Sequence, residues 1–150
     1  MTEYDSYISE LQMGNKFESL KEVNNFSEIS TQYNALICDI WGVIHNGQEL
    51  FPGINECLLN FKKLNNVVIL LSNAPRPSSY VSSVLDKFGF KDECYDGIIT
   101  SGDLTKKSLN EKIFGENCYH IGPQRDLNIF EGTNVNRVDF SNSDFIFVTG

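Results

Sequence analysis

Ala35-Leu36-Ile37-Cys38-Asp39 and Val67-Val68-Ile69-Leu70-Leu71-Ser72 decide the fold of this 150-residue chain. Each is a short, unbroken apolar run that stops on a polar residue, the pattern of strands buried on both faces. Between them, Ile54, Cys57, Leu58, Phe61 and Leu64 recur at helical spacing, and Asn65-Asn66 ends that helix. Asp39 and Ser72 are separated by about the 30 residues of one βαβ crossover. Such units are right-handed and parallel, so both residues are expected at the carboxyl ends of parallel strands. Open α/β sheets place their ligands at that rim.

Outward from this pair the same alternation continues. After Ser72-Asn73-Ala74-Pro75-Arg76-Pro77, a rigid turn, Tyr80, Val81, Val84, Leu85 and Phe88 mark a second helix with Gly89 at its end. Asp96 to Thr100 reads as a third strand, and Thr100 or Ser101 as the cap of a helix through Leu104, Leu109 and Ile113. Cys118 to Ile121 and Phe145 to Val148 are two more strand candidates. Just after Asp39, Asn46-Gly47 between β-compatible flanks is a strong hairpin signal. Residues 1–32 form a polar, partly helical lead-in, with Leu11, Phe17, Leu20 and Val23 on one side and Gly14 interrupting.

Composition excludes several functions. The net charge is −8, with 12 Lys+Arg against 20 Asp+Glu and no basic block, so binding to a nucleic-acid backbone has little electrostatic support. The longest apolar run falls far short of the ~20 residues that span a bilayer, and the acidic start fits no secretory or transit signal. No membrane role, no nucleic-acid partner and a cytoplasmic location are the expectations. Cys38, Cys57, Cys94 and Cys118 form no C-x-x-C pair and no zinc spacing. Cys38 and Cys57 read as small core hydrophobes. No G-x-G-x-x-G or Walker loop is present, which disfavours a nucleotide binder.

The segment from Tyr33 to Gly53 (YNALICDIWGVIHNGQELFPG), with LLSNAPRPS at 70–78 and DGIITSGD at 96–103, resembles the haloacid dehalogenase superfamily. Within it, the stretch is similar to the NagD-like class with a C2-type cap and an Asp-x-Trp-Gly-Val first motif. The resemblance implies an α/β fold: a parallel-sheet, Rossmann-like core with a flap hairpin over 33–114, and the start of a C2-type cap over 115–150. It implies a Mg²⁺-dependent phosphatase of a small phosphorylated metabolite, and it allows a homo-oligomer through the cap. Asp39 would be the nucleophile and a Mg²⁺ ligand, the Trp41 carbonyl a second ligand. Backbone N–H groups of Trp41 and Gly42, the Ser72 hydroxyl and the Asn73 amide would hold phosphate, with Arg76 a phosphate or substrate contact.

Each residue also has a plainer role open to it. Asp39 and Ser72 are common strand-end, cap or turn residues, Trp41 a common core residue, and Arg76 an ordinary surface side chain. His45, near the hairpin tip, reads as a solvated turn residue. The chain departs from the family at Trp41, which stands where most members carry a second Asp as general acid. The family's later Lys and acidic pair are expected beyond Gly150, making 1–150 an N-terminal fragment. The rival reading is a non-catalytic phosphate-binding or regulatory domain.

Overall fold

The computed structural model describes residues 23–149. The chain divides into two compact units, Met1–Gln32 and Tyr33–Gly150. In the first, helix α1 covers Ser27–Ser30; residues 1–22, with Leu11, Gly14, Phe17 and Leu20 among them, lie outside the described residues.

The second unit opens with strand β1 (Ala35–Asp39), helix α2 (Ile54–Lys62), strand β2 (Val67–Ser72), helix α3 (Ser78–Lys87), strand β3 (Gly97–Thr100) and helix α4 (Ser101–Asn110). The three strands form one parallel sheet in the order β1-β2-β3. Asp39 stands opposite Leu71, and Ser72 opposite Thr100. The expected βαβ unit is therefore present, with Asp39 and Ser72 ending adjacent strands. Asp96 accepts the Val68 N–H at 2.8 Å and the Lys62 ammonium at 2.5 Å, tying the end of α2 to the sheet.

One expectation fails. The strands are not buried on both faces: Ile37 is 70% exposed, and Val67, Leu71 and Ile99 are also open. The strand order explains it. Each right-handed crossover steps in the same direction along the sheet, so α2 and α3 fall on one face. That face buries Cys38, Val68 and Leu70 against Leu58, Phe61, Val81 and Leu85. By strand alternation, Ala35, Ile37 and Asp39 share the other face with Val67 and Leu71. The helix through Ile113 also ends sooner than its spacing suggests, at Asn110, and Leu104 and Ile113 are exposed.

A second parallel sheet follows, built from β4 (Asn117–Ile121), β5 (Asn136–Arg137) and β6 (Phe145–Val148) in the order β5-β4-β6. A run of 3₁₀ helix at Gln124–Phe130 connects β4 to β5 and buries Asp126 and Ile129. All four cysteines are free thiols; Cys38, Cys94 and Cys118 are buried and Cys57 is half-buried. Among the described residues, no helix is long and apolar enough to cross a membrane.

Candidate active site

The strands of the first sheet end at the same rim, and four of the side chains there carry oxygen atoms. Asp39, Ser72 and Asn73 line one cavity of about 540 Å³ together with Ile37, Leu71 and Ser101. One carboxylate oxygen of Asp39 accepts the Ile40 N–H at 2.7 Å, which fixes the group while its other oxygen stays available. The Ser72 oxygen accepts the Ala74 N–H at 3.1 Å. It thus shapes the turn, yet keeps its own hydroxyl proton to donate. The plain turn role and the binding role coexist in this residue.

The loop after Ser72 is clamped to the start of α4. Thr100 caps α4 by accepting the Asp103 N–H at 3.0 Å, and the Asp103 carboxylate accepts the Ser78 N–H with both oxygens at 3.1 Å. Gly102 donates its N–H to the Ala74 carbonyl at 3.1 Å. These bonds bring Ser101 to the rim. Sequence reading treats Ser101 only as a cap candidate; its place after a third apolar strand, as Ser72 follows the second, is the signal that marks it.

The segment after Asp39 is a tight turn. Val43 and Ile44 donate to the Ile40 carbonyl, and Gly42 donates to the His45 carbonyl at 2.9 Å. The Gly42 N–H assigned to phosphate is therefore engaged in closing this turn. The flap is a reverse turn with single bridges, Trp41 to His45 and His45 to Leu50, rather than a two-stranded ladder. Asn46 and Gly47 do form its tip: the Asn46 side chain accepts from Gln48 and Glu49, and Gly47 has φ +93°.

His45 is not a solvated turn residue. It is 6% exposed, its Nδ1 accepts the Gly47 N–H at 3.0 Å, and its ring lies 5.3 Å from Trp41 and 5.0 Å from Phe88. Burial pushes its pKa below the ordinary histidine value. Trp41 is not core either, at 65% exposed, and its ring covers Gly47 so closely that a Cβ there would stand 2.4 Å from the indole. Trp41 and His45 line a second cavity of about 420 Å³, shared with Ser72, Asn73, Arg76 and Tyr80. The Arg76 guanidinium stacks 4.5 Å over Tyr80 and donates to Asp126 at 3.3 Å. The rim thus gathers Asp39, Trp41, Ser72, Asn73 and Arg76 around two adjoining cavities.

A right-handed parallel α/β sheet with a carboxylate ending one strand and a hydroxyl ending the next defines the class of open α/β domain with its ligand rim at the carboxyl ends of the strands. Within that class the chain belongs to the haloacid dehalogenase-like hydrolase family, whose model matches residues 36–136. It is similar to a haloacid dehalogenase-like hydrolase from Brucella suis 1330, at 30% identity and a TM-score of 0.78, over 86% of this chain and 47% of that one. Its fold is also that of 4-nitrophenylphosphatase from Thermotoga maritima (22% identity, TM-score 0.62, 80% of this chain and 46% of that one). NagD from E. coli K-12 shares it as well (24% identity, TM-score 0.58, 77% and 45%). The chain spans about half the length of these solved structures. No curated protein sequence matches it.

Proposed function

We propose that the protein is a phosphatase of small phosphorylated metabolites that works through a covalent bond to Asp39. The supporting observation is the shared rim cavity, where a fixed carboxylate and a hydroxyl donor end adjacent parallel strands. In the first step the free Asp39 oxygen attacks phosphorus, an acyl–phosphate bond forms, and the ester oxygen leaves with its electron pair. In the second, water cleaves that bond and releases inorganic phosphate, restoring the carboxylate. Ser72 donates its hydroxyl to the phosphate, with the Asn73 amide beside it.

A carboxylate approaches a phosphate dianion only if a cation screens the repulsion. The donors at hand are hard oxygens, the kind Mg²⁺ selects, and Mg²⁺ commonly uses one or two carboxylates plus substrate phosphate and water. Asp39 and the Trp41 carbonyl would hold it, and bound there it would supply Lewis-acid stabilisation of the phosphoryl oxygens.

A second reading has its own support. The Trp41 indole N–H is too weakly acidic to protonate a leaving group, which favours a non-catalytic phosphate-binding domain. Phosphate release from 4-nitrophenyl phosphate, with Mg²⁺ or with chelator, separates the two. Mg²⁺-dependent release that is lost in Asp39→Asn supports the phosphatase; phosphate binding without turnover supports the alternative.

A further inference from the structure

Asp126 is a buried carboxylate that the proposed reaction leaves unused. Its side chain is 3% exposed, in the 3₁₀ segment that follows β4. It accepts from Arg76 at 3.3 Å, with the Nε of the solvent-exposed Arg125 further off at 3.9 Å. Arg76 comes from the loop after β2, so the pair joins the rim of the first sheet to the connection of the second. A carboxylate this buried is costly unless paired, which makes Arg76 the partner that offsets its burial.

The pairing leaves much of the guanidinium available. Arginine presents five N–H donors, and one is given to Asp126 in a single contact rather than a two-pronged fork. Its Cζ lies 4.5 Å from the centre of the Tyr80 ring, a cation–π contact that restrains the group without consuming an N–H donor. Arg76 also lines the cavity that contains Ser72 and Asn73, and it is the one Lys or Arg among the lining residues. A guanidinium held by two partners on a cavity-lining residue is preorganised for a planar, bidentate anion contact.

We propose that Asp126 is a positioning residue that fixes the Arg76 guanidinium on the cavity wall beside Ser72 and Asn73, where Arg76 receives an oxyanion of the phosphorylated substrate. This rests on the phosphatase reading of the Asp39–Ser72 rim. Asp126 touches no substrate; it acts through Arg76.

The test has two arms, both on the whole chain. Sequence provides three arginines, Arg76, Arg125 and Arg137, so their Nε–H signals are separable by NMR. In the unaltered protein Arg76 is expected to be more ordered than the exposed Arg125; in Asp126→Asn, which keeps shape and a hydrogen-bond acceptor, its order falls to the Arg125 level. The second arm titrates inorganic phosphate against the fluorescence of Trp41, the sole tryptophan. Affinity is expected to drop about 10-fold in Asp126→Asn, by a similar factor in Arg76→Lys, and no further in the double variant, as for residues acting as one unit. An Arg76 as mobile as Arg125 in the unaltered protein overturns the proposal. So does an Asp126→Asn variant that frees Arg76 but binds phosphate as before, which would make the pair purely structural. An ordered Arg76 in a protein that binds no phosphate at all overturns the phosphatase reading, and this inference with it.

Discussion

A Cβ on Gly102 would stand 2.3 Å from the backbone carbonyl carbon of Arg76 and 2.4 Å from its oxygen. The obstruction is backbone, which cannot rotate away as a side-chain tip can. Gly102→Ala must therefore push the loop after β2 off the start of α4, at a cost of about 1–3 kcal/mol. A lower melting temperature with a changed Trp41 emission is expected. Unchanged values for both would show that the loop yields freely.

Asp39 is exposed, and its carboxylate accepts a local bond from the Ile40 N–H. Its replacement by Asn should leave stability within about 0.5 kcal/mol while phosphate release falls by three orders of magnitude or more, as roughly expected when a nucleophile is removed. Parallel thermal melts and turnover assays check this. Strong destabilisation with activity retained would reduce Asp39 to a strand-end residue.

On the phosphatase reading, Trp41 sets which esters are cleaved. With no general acid, the leaving oxygen departs unprotonated, so kcat/KM should depend steeply on its pKa. Acyl and aryl phosphates should be cleaved far faster than alkyl phosphates. Trp41→Asp should raise alkyl-phosphate turnover selectively, toward the roughly 10²–10⁴-fold that such an acid contributes. A flat dependence in the unaltered protein would mean that another group delivers the proton.

His45 makes stability fall in mild acid. Burial holds its folded pKa below the ordinary value of 6.5, so the unfolded chain takes up a proton first as pH drops. Its contribution is therefore present above about pH 6.5 and is lost as pH falls through the lowered folded value. His120 is displaced the same way, by burial first and by Arg137 second. Denaturant midpoints measured between pH 7.5 and 5 should decline, and less so in His45→Gln. Equal declines in both proteins would place the titrating group elsewhere.

The open apolar residues Ile37, Val67, Leu71 and Ile99 form a patch on one sheet face, of the kind that drives association. The chain should bind an apolar fluorescent dye and self-associate as concentration rises. Ile37→Thr with Leu71→Ser should suppress both. Dye binding that persists in the double variant would locate the patch somewhere else.

How much of this was legible in the residues follows from what kind of signal each feature leaves. Strands β1 and β2 announce themselves as apolar runs, α2 and α3 as 3.6-residue periods, and the Thr100 cap by an acceptor three residues before Asp103. The partnership of Asp39 and Ser72 is legible too, because crossover handedness converts sequence spacing into a shared rim. Strand β5 is two polar residues, Asn136 and Arg137, held by pairing to Asn117 and Cys118, and no local pattern encodes that. His45 is buried because Phe88, far along the chain, packs on its ring. The Arg76–Asp126 pair is likewise a tertiary fact, between residues whose own neighbourhoods look like ordinary loops.

The bare sheet face has a dielectric consequence. Asp39 follows Ile37 by two residues on β1 and faces Leu71 across the ladder, so the proposed nucleophile stands on the open side of the sheet while Val68 and Leu70 stand on the sealed side. Water over Ile37 and Leu71 screens every charge near Asp39, and electrostatic attraction there is several-fold weaker than in a dry site. Anything that buries this face also dries the carboxylate and strengthens the hold of its donors and cation on a phosphate. Covering hydrocarbon and empowering the proposed catalytic carboxylate are thus one event in this fold, and on the phosphatase reading the reactivity of Asp39 becomes a gauge of how completely its sheet is clothed.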